Sequence, residues 1–124
     1  MAHDVNQDKC RQHGGILPEP RSQEENQFLN NLNTEMFVLG LSDVETEGSW
    51  QWDSDRTPVV YSNWLSGDGA GGRAENCVFM SRNFRNYDGF WADFSCSSSA
   101  FMDARNKSLI CQKTEGKHKC VDIF

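Results

Sequence analysis

Apolar positions along this chain change rhythm near residue 36. Upstream they are sparse and spaced for helices; downstream they come in short runs divided by loops. Ser22 with Glu25 three residues later is a capping-box pattern, in which the two side chains satisfy donors at a helix start. Pro18 and Pro20 just before it keep the approach extended. Phe28, Leu29 and Leu32 share one helical face, so the spacing predicts an amphipathic helix of about three turns over 22–32. A weaker helix is expected over 4–12, where Val5 and Cys10 are the apolar residues. Gly14-Gly15 ends it, because glycine accepts the left-handed cap.

From Met36 onward the pattern is that of strands. Phe37 to Leu41 form a continuous apolar run suited to a buried strand. Trp50 and Trp52 fall on one face of a second by alternation. Val59, Val60 and Tyr61 are β-prone and precede Trp64. SGDGAGG at 66–72 breaks all periodicity and reads as loop. Cys77 to Met80, the stretch around Phe90, Trp91 and Phe94, and Leu109 to Cys111 supply further strands. Two helices followed by a strand- and loop-rich remainder define an α+β fold. No internal repeat is visible.

Length and composition narrow this picture. A chain of 124 residues reads as a single domain, here 1–124 with 113–124 as a C-terminal extension. Its 37% hydrophobic content, with 4 Trp and 8 Phe, is enough for a small core. The longest apolar run is far short of the roughly 18 residues of a membrane helix, so no membrane span is expected. A net charge of −6 excludes nucleic acid and anionic membrane as partners, since both attract Lys/Arg clusters. MAHDVNQDKC has no apolar segment of a signal peptide, which implies a removed signal or a fragment. Five cysteines in so short a chain point to an oxidised, secreted protein with two disulfides and one cysteine over; the pairing is open at this level.

Catalytic patterns are missing. His3, His13 and His118 stand beside no serine or cysteine nucleophile motif, and no HExxH, GxSxG or Cys-x-x-Cys occurs. His118 with Cys111 and Cys120 lacks a fourth zinc ligand. GDGAGG is not followed by Lys-Ser/Thr and opens no helix, so it is no phosphate cradle. The chain is expected to bind, not to catalyse.

Seven segments in order, CRQHGGILPEPRSQEENQFL at 10–29, LGLSD at 39–43, TEGSWQW at 46–52, PVVYSNW at 58–64, ENCVFM at 75–80, WADFSC at 91–96 and LICQK at 109–113, resemble the C-type lectin-like domain. The resemblance covers residues from about 10 to 113. It implies two helices, two small antiparallel sheets and a long irregular loop region. It also implies disulfides Cys10–Cys111 and Cys77–Cys96. The first would close a loop of about 100 residues, worth up to roughly 4–5 kcal/mol in the chain-entropy model.

Sugar-binding members of that family hold calcium in the long loops, and the ion bridges to two sugar hydroxyls. Calcium needs about 6–8 oxygens, so carboxylates and amides must converge. The family's Glu-Pro-Asn motif corresponds here to Asp68-Gly69-Ala70, which lacks the proline and the terminal amide. Glu75 matches the next ligand, and Trp-Asn-Asp reads Trp91-Ala92-Asp93. Asp68, Glu75 and Asp93 are therefore kept while the sugar-orienting amides are not. Asp43 and Glu47 match an auxiliary calcium position, which Glu75 and Asp93 would join. Trp64 and Tyr87 are the aromatics expected against a ligand, with Phe84 and Phe90 near them, whereas Trp50, Trp52 and Trp91 are expected in the core. The resemblance thus implies glycan recognition with weak or absent calcium dependence. The alternative is calcium-independent binding of an extracellular protein or mineral surface.

Both ends depart from the family pattern. The opening strand that normally pairs with the last strand is missing before Cys10, which would leave a sheet edge uncovered. SLICQK-TEGK-HKCVDIF reads as strand, Gly-containing turn, strand, so the tail is expected to fold back on the final strand. Cys120 on that tail is the odd cysteine and a candidate for a disulfide-linked dimer. Asn106-Lys107-Ser108 is a glycosylation sequon in a stretch inserted after Cys96.

Overall fold

A computed structural model describes residues 2–32, 36–46, 48–65, 77–81, 88–94, 110–115 and 118–123. Helix α1 spans Ala2–Gln12 and α2 spans Gln23–Asn30. Strands β1 (Phe37–Ser42), β2 (Gln51–Trp52), β3 (Cys77–Met80) and β4 (Trp91–Phe94) form an antiparallel sheet in the order β2-β1-β3-β4. Strands β5 (Ile110–Glu115) and β6 (His118–Ile123) make a second, two-stranded antiparallel sheet. This is the α+β arrangement the sequence predicts.

The first helix begins earlier than expected, at Ala2, and stops where glycine permits. Gly15 N–H donates to Cys10 O at 2.8 Å, and Gly14 adopts φ +80°. Ser22 caps α2, accepting from Glu25 N–H at 3.2 Å. The reciprocal half of the expected box is displaced by one residue: Glu25 Oε2 accepts from Arg21 N–H, at 2.7 Å. The helix ends at Asn30, two residues short of Leu32. Its buried apolar contact is therefore Leu29, while Phe28, expected on the same face, is 53% exposed. Adjacent residues stand about 100° apart around a helix of 3.6 residues per turn, and here the turn that buries Leu29 leaves Phe28 outward.

The run Phe37 to Leu41 is buried throughout because the sheet is covered on both faces. Phe37, Leu39, Leu41, Val78, Met80 and Trp91 join Leu29, Trp52 and Ile110 in one cluster. Val38, Phe79 and Ala92 point the other way, to Cys10, Leu17, Met36, Cys77 and Cys111. Alternation along each strand produces this division. Val59 to Tyr61 form no strand despite their composition. Pro58 makes a single bridge to Gln51, and Val60 is 93% exposed. Tertiary context overrides a weak propensity there.

Cys10 and Cys111 form a disulfide that joins α1 to β5. Cys77 is also disulfide-bonded; Cys96, the partner the resemblance implies, lies outside the described residues. Strand β5 is flanked on both sides. Ile16 and Gln112 exchange backbone hydrogen bonds of 2.9 and 2.7 Å on one side. On the other, β6 pairs in unbroken register from Ile110↔Ile123 to Glu115↔His118. The tail thus folds back on the last strand, as the hairpin signal predicts.

A buried acid that the sequence did not single out locks the entry to α2. Glu19, 2% exposed between two prolines, accepts from Ser54 N–H at 2.9 Å, Ser54 Oγ–H at 2.8 Å and Arg21 Nη2 at 2.7 Å. A buried carboxylate is tolerated only with such partners. Arg21 goes on to Asp55 at 3.1 Å and lies 5.3 Å over the Trp52 ring.

Candidate functional site

Of the residues the sequence proposes for the site, Trp64 lies in an aromatic cluster beside β4. Trp91 is fully buried and packs at near right angles to three rings: Trp52 at 6.0 Å, Tyr61 at 5.9 Å and Trp64 at 5.6 Å. The approach of residues 63–65 is fixed by backbone bonds. Trp91 N–H donates to Asn63 O and Leu65 N–H to Trp91 O, both at 2.8 Å. Trp64 also meets Trp50 at 4.9 Å and 49°. Both rings are half-buried, so Trp50 is less enclosed than expected, whereas Trp52 and Trp91 are core residues as expected.

Trp50 and Trp64 wall a cleft of about 390 Å³, with Val59 and Pro58 as further apolar lining and Ser49, Gln51 and Ser62 as polar lining. That volume suits a small ligand, and mixed aromatic and hydroxyl lining suits an amphipathic one. Gly48, also on the cleft wall, donates its N–H to Asp43 Oδ2 at 2.8 Å. The structure therefore brings Trp64 and the Asp43 turn to one neighbourhood.

Asp43 is 3% exposed and its second oxygen, Oδ1, has no hydrogen-bond partner. A buried carboxylate oxygen without a donor is costly, and a bound cation would satisfy it. Asp43 by itself supplies one carboxylate of the several oxygens that calcium needs. Asp93 lies on β4 opposite Val78, half-buried and engaged in an interaction of its own. Asp68, Glu75, Glu47 and Tyr87 lie outside the described residues. Among the described residues no group of three or more His, Cys, Asp and Glu converges as a metal cluster. Ala92, at the position where an amide ligand is lost, packs in the apolar cluster with Phe79 and Cys77 at 7% exposure.

Three pKa shifts mark the neighbouring surface. Asp55 is lowered to about 2, chiefly by the Thr57 hydroxyl and then by Arg21. Burial pulls Arg21 down, but its hydrogen bonds to Glu19 and Asp55 more than offset this and raise it. Tyr61 is raised, mainly by burial and secondarily by Glu24.

This frame matches known proteins. The family model described as the lectin C-type domain matches residues 2–102, and the chain belongs to that family. It is 36% identical over 97 residues to pulmonary surfactant-associated protein D of Sus scrofa, covering 73% of this chain and 24% of that protein. It spans, then, only a quarter of that relative's length. Among solved structures it is similar to the mouse scavenger receptor C-type lectin carbohydrate-recognition domain, with TM-score 0.67 and 30% identity over 77% of this chain and 72% of the other. It is equally similar to a calcium-independent type II antifreeze protein, with TM-score 0.67 and 27% identity over 77% and 71% of the two chains. No helix among the described residues is long and apolar enough to cross a membrane.

Proposed function

We propose that this chain is a non-catalytic, extracellular recognition module that binds glycans with weak or absent calcium dependence. The half-buried Trp50–Trp64 pair on its cleft carries the reading. An aromatic face supports the apolar side of a sugar ring, and the serines and Gln51 alongside meet hydroxyls. Asp68, Glu75, Asp93, Trp64 and Tyr87 are the ligand-facing residues in this proposal. Asp43, Glu47, Glu75 and Asp93 are its calcium ligands, and the orphan Asp43 Oδ1 supports the first of these. Weakened calcium dependence follows from Ala70 and Ala92, which replace the amides that would orient a sugar on the ion. The disulfides support an oxidising, secreted location. Cys120, in register with Lys113 on the tail strand, is proposed to link two copies.

A second reading has its own support. Similarity to a calcium-independent antifreeze protein favours recognition of a protein or mineral surface with no sugar. A glycan array probed with the purified chain, with and without EDTA, separates the two. Binding to a defined set of glycans that survives EDTA supports the first. No glycan binding in either condition favours the second.

A further inference from the structure

Helix α2 carries side-chain amides at Gln23, Asn26, Gln27 and Asn30. That i, i+3, i+4, i+7 spacing places four amides along one helix face. By itself such a stripe is an ordinary solvated surface. Here it forms one wall of a second cleft, of about 360 Å³, whose other wall is Tyr61, Asn63 and the Asp88-Gly89 turn. The two clefts share no lining residue. The segment 61–64 alternates between them: Tyr61 and Asn63 line the α2 cleft, Ser62 and Trp64 the aromatic one.

The base of the α2 cleft is fixed. Asn26 Oδ1 accepts from the Trp91 indole at 2.7 Å, and its Nδ2 donates to Gly89 O at 3.0 Å. Asn63 Nδ2 donates to the same carbonyl at 2.8 Å. Gly89 stands at φ +86°, where an L side chain is strained, and a Cβ there would crowd Asn30 Cγ at 3.0 Å, so glycine favours this close approach of turn and helix. The rim is adaptable, with Gln23 and Gln27 exposed and Tyr61 half-buried.

Side-chain amides each present donors and an acceptor without charge, the same dual character as a sugar hydroxyl. Tyr61 adds a ring edge and a hydroxyl. Among the described residues no Lys or Arg lines the cleft, and Asp88 does. Glu24 is close enough to Tyr61 to help raise its pKa, behind the larger effect of burial. The electrostatic setting therefore disfavours sialylated or sulfated sugars. We infer that the amide cleft beside α2 is a metal-independent subsite for one neutral sugar unit, a hexose or N-acetylhexosamine. The inference goes beyond the proposed function, because it requires neither calcium nor occupancy of the Trp64 cleft.

The test is a titration of ¹⁵N-labelled protein in EDTA with the methyl glycosides of glucose, galactose, mannose, N-acetylglucosamine, N-acetylgalactosamine and sialic acid. Saturable shifts of the Gln23, Gln27 and Asn30 side-chain amides with at least one neutral glycoside, and none with the sialoside, are expected. Gln23→Ala with Gln27→Ala, exposed positions where alanine favours the helix, should keep the fold and weaken that binding about tenfold. Binding in the Trp50–Trp64 cleft reads out separately, through those two indole N–H signals, so failure of one site is distinguishable from failure of the other. The inference is overturned if no neutral glycoside moves the α2 amides, if the double variant binds as tightly as the parent, or if the sialoside binds there more strongly.

Discussion

The indole Nε1 of Trp91 donates to Asn26 Oδ1 at 2.7 Å, joining α2 to β4 across 65 residues of chain with both side chains buried. The bond ties the candidate site to the core. It also fixes the orientation of the ring on which Tyr61 and Trp64 pack. Asn26→Ala would leave a buried indole N–H without an acceptor and remove a donor to Gly89 O. The expected loss is about 2–3 kcal/mol of folding stability, read as a lower urea midpoint with unchanged slope. A midpoint equal to the parent's would show that the bond contributes nothing net.

Gly40 is the point where β1 leaves its ladder with β3, in the interval where the register shifts between Val38 and Ser42. Its N–H donates to Pro18 O at 2.8 Å and its carbonyl accepts from Asp53 N–H at 2.9 Å. A Cβ there would meet Leu17 O at 2.9 Å, a backbone atom that cannot swing aside. Gly40→Ala is therefore expected to destabilise by about 1–3 kcal/mol, the usual cost of overpacking, although alanine lowers the entropy of the unfolded chain. A thermal midpoint at or above the parent's would refute this.

The Asp55 carboxyl is held at about 2 against an ordinary 3.8. A depressed folded-state pKa stabilises above the unfolded value, and that stabilisation fades as pH falls from about 3.8 through about 2. Because Thr57 is the larger cause, Thr57→Val should raise the Asp55 midpoint toward the ordinary value in a carboxyl-carbon NMR titration. Arg21→Gln should raise it as well. A Thr57→Val midpoint still near the parent's would assign the shift to Arg21 instead.

Much of the frame was legible because its signals are local or repeated. Ser22 capped a helix, Phe37 to Leu41 were buried on both faces, and the tail paired with the last strand at a Gly-containing turn. Phe28 misled because periodicity does not say how the helix is rotated against the core, and Leu29 takes the inward place. Glu19 escaped notice because its partners Ser54 and Arg21 are placed by tertiary structure. The amide face of α2 gave no signal in the sequence for the same reason: its meaning depends on Tyr61 and Gly89 arriving opposite. Of the proposed ligand residues, Trp64 and Asp93 fall within the described residues, and Trp64 was legible as an aromatic just before the Gly-rich stretch at 66–72.

The central claim is recognition of glycans without an obligate calcium ion. The most direct measurement is the dissociation constant for the strongest array glycan, taken by calorimetry first in millimolar calcium and then in EDTA. The presence of Ala70 and Ala92 where the family carries side-chain amides predicts two values within about tenfold of each other, a difference of no more than about 1.4 kcal/mol. Binding in calcium that disappears in EDTA would contradict the account.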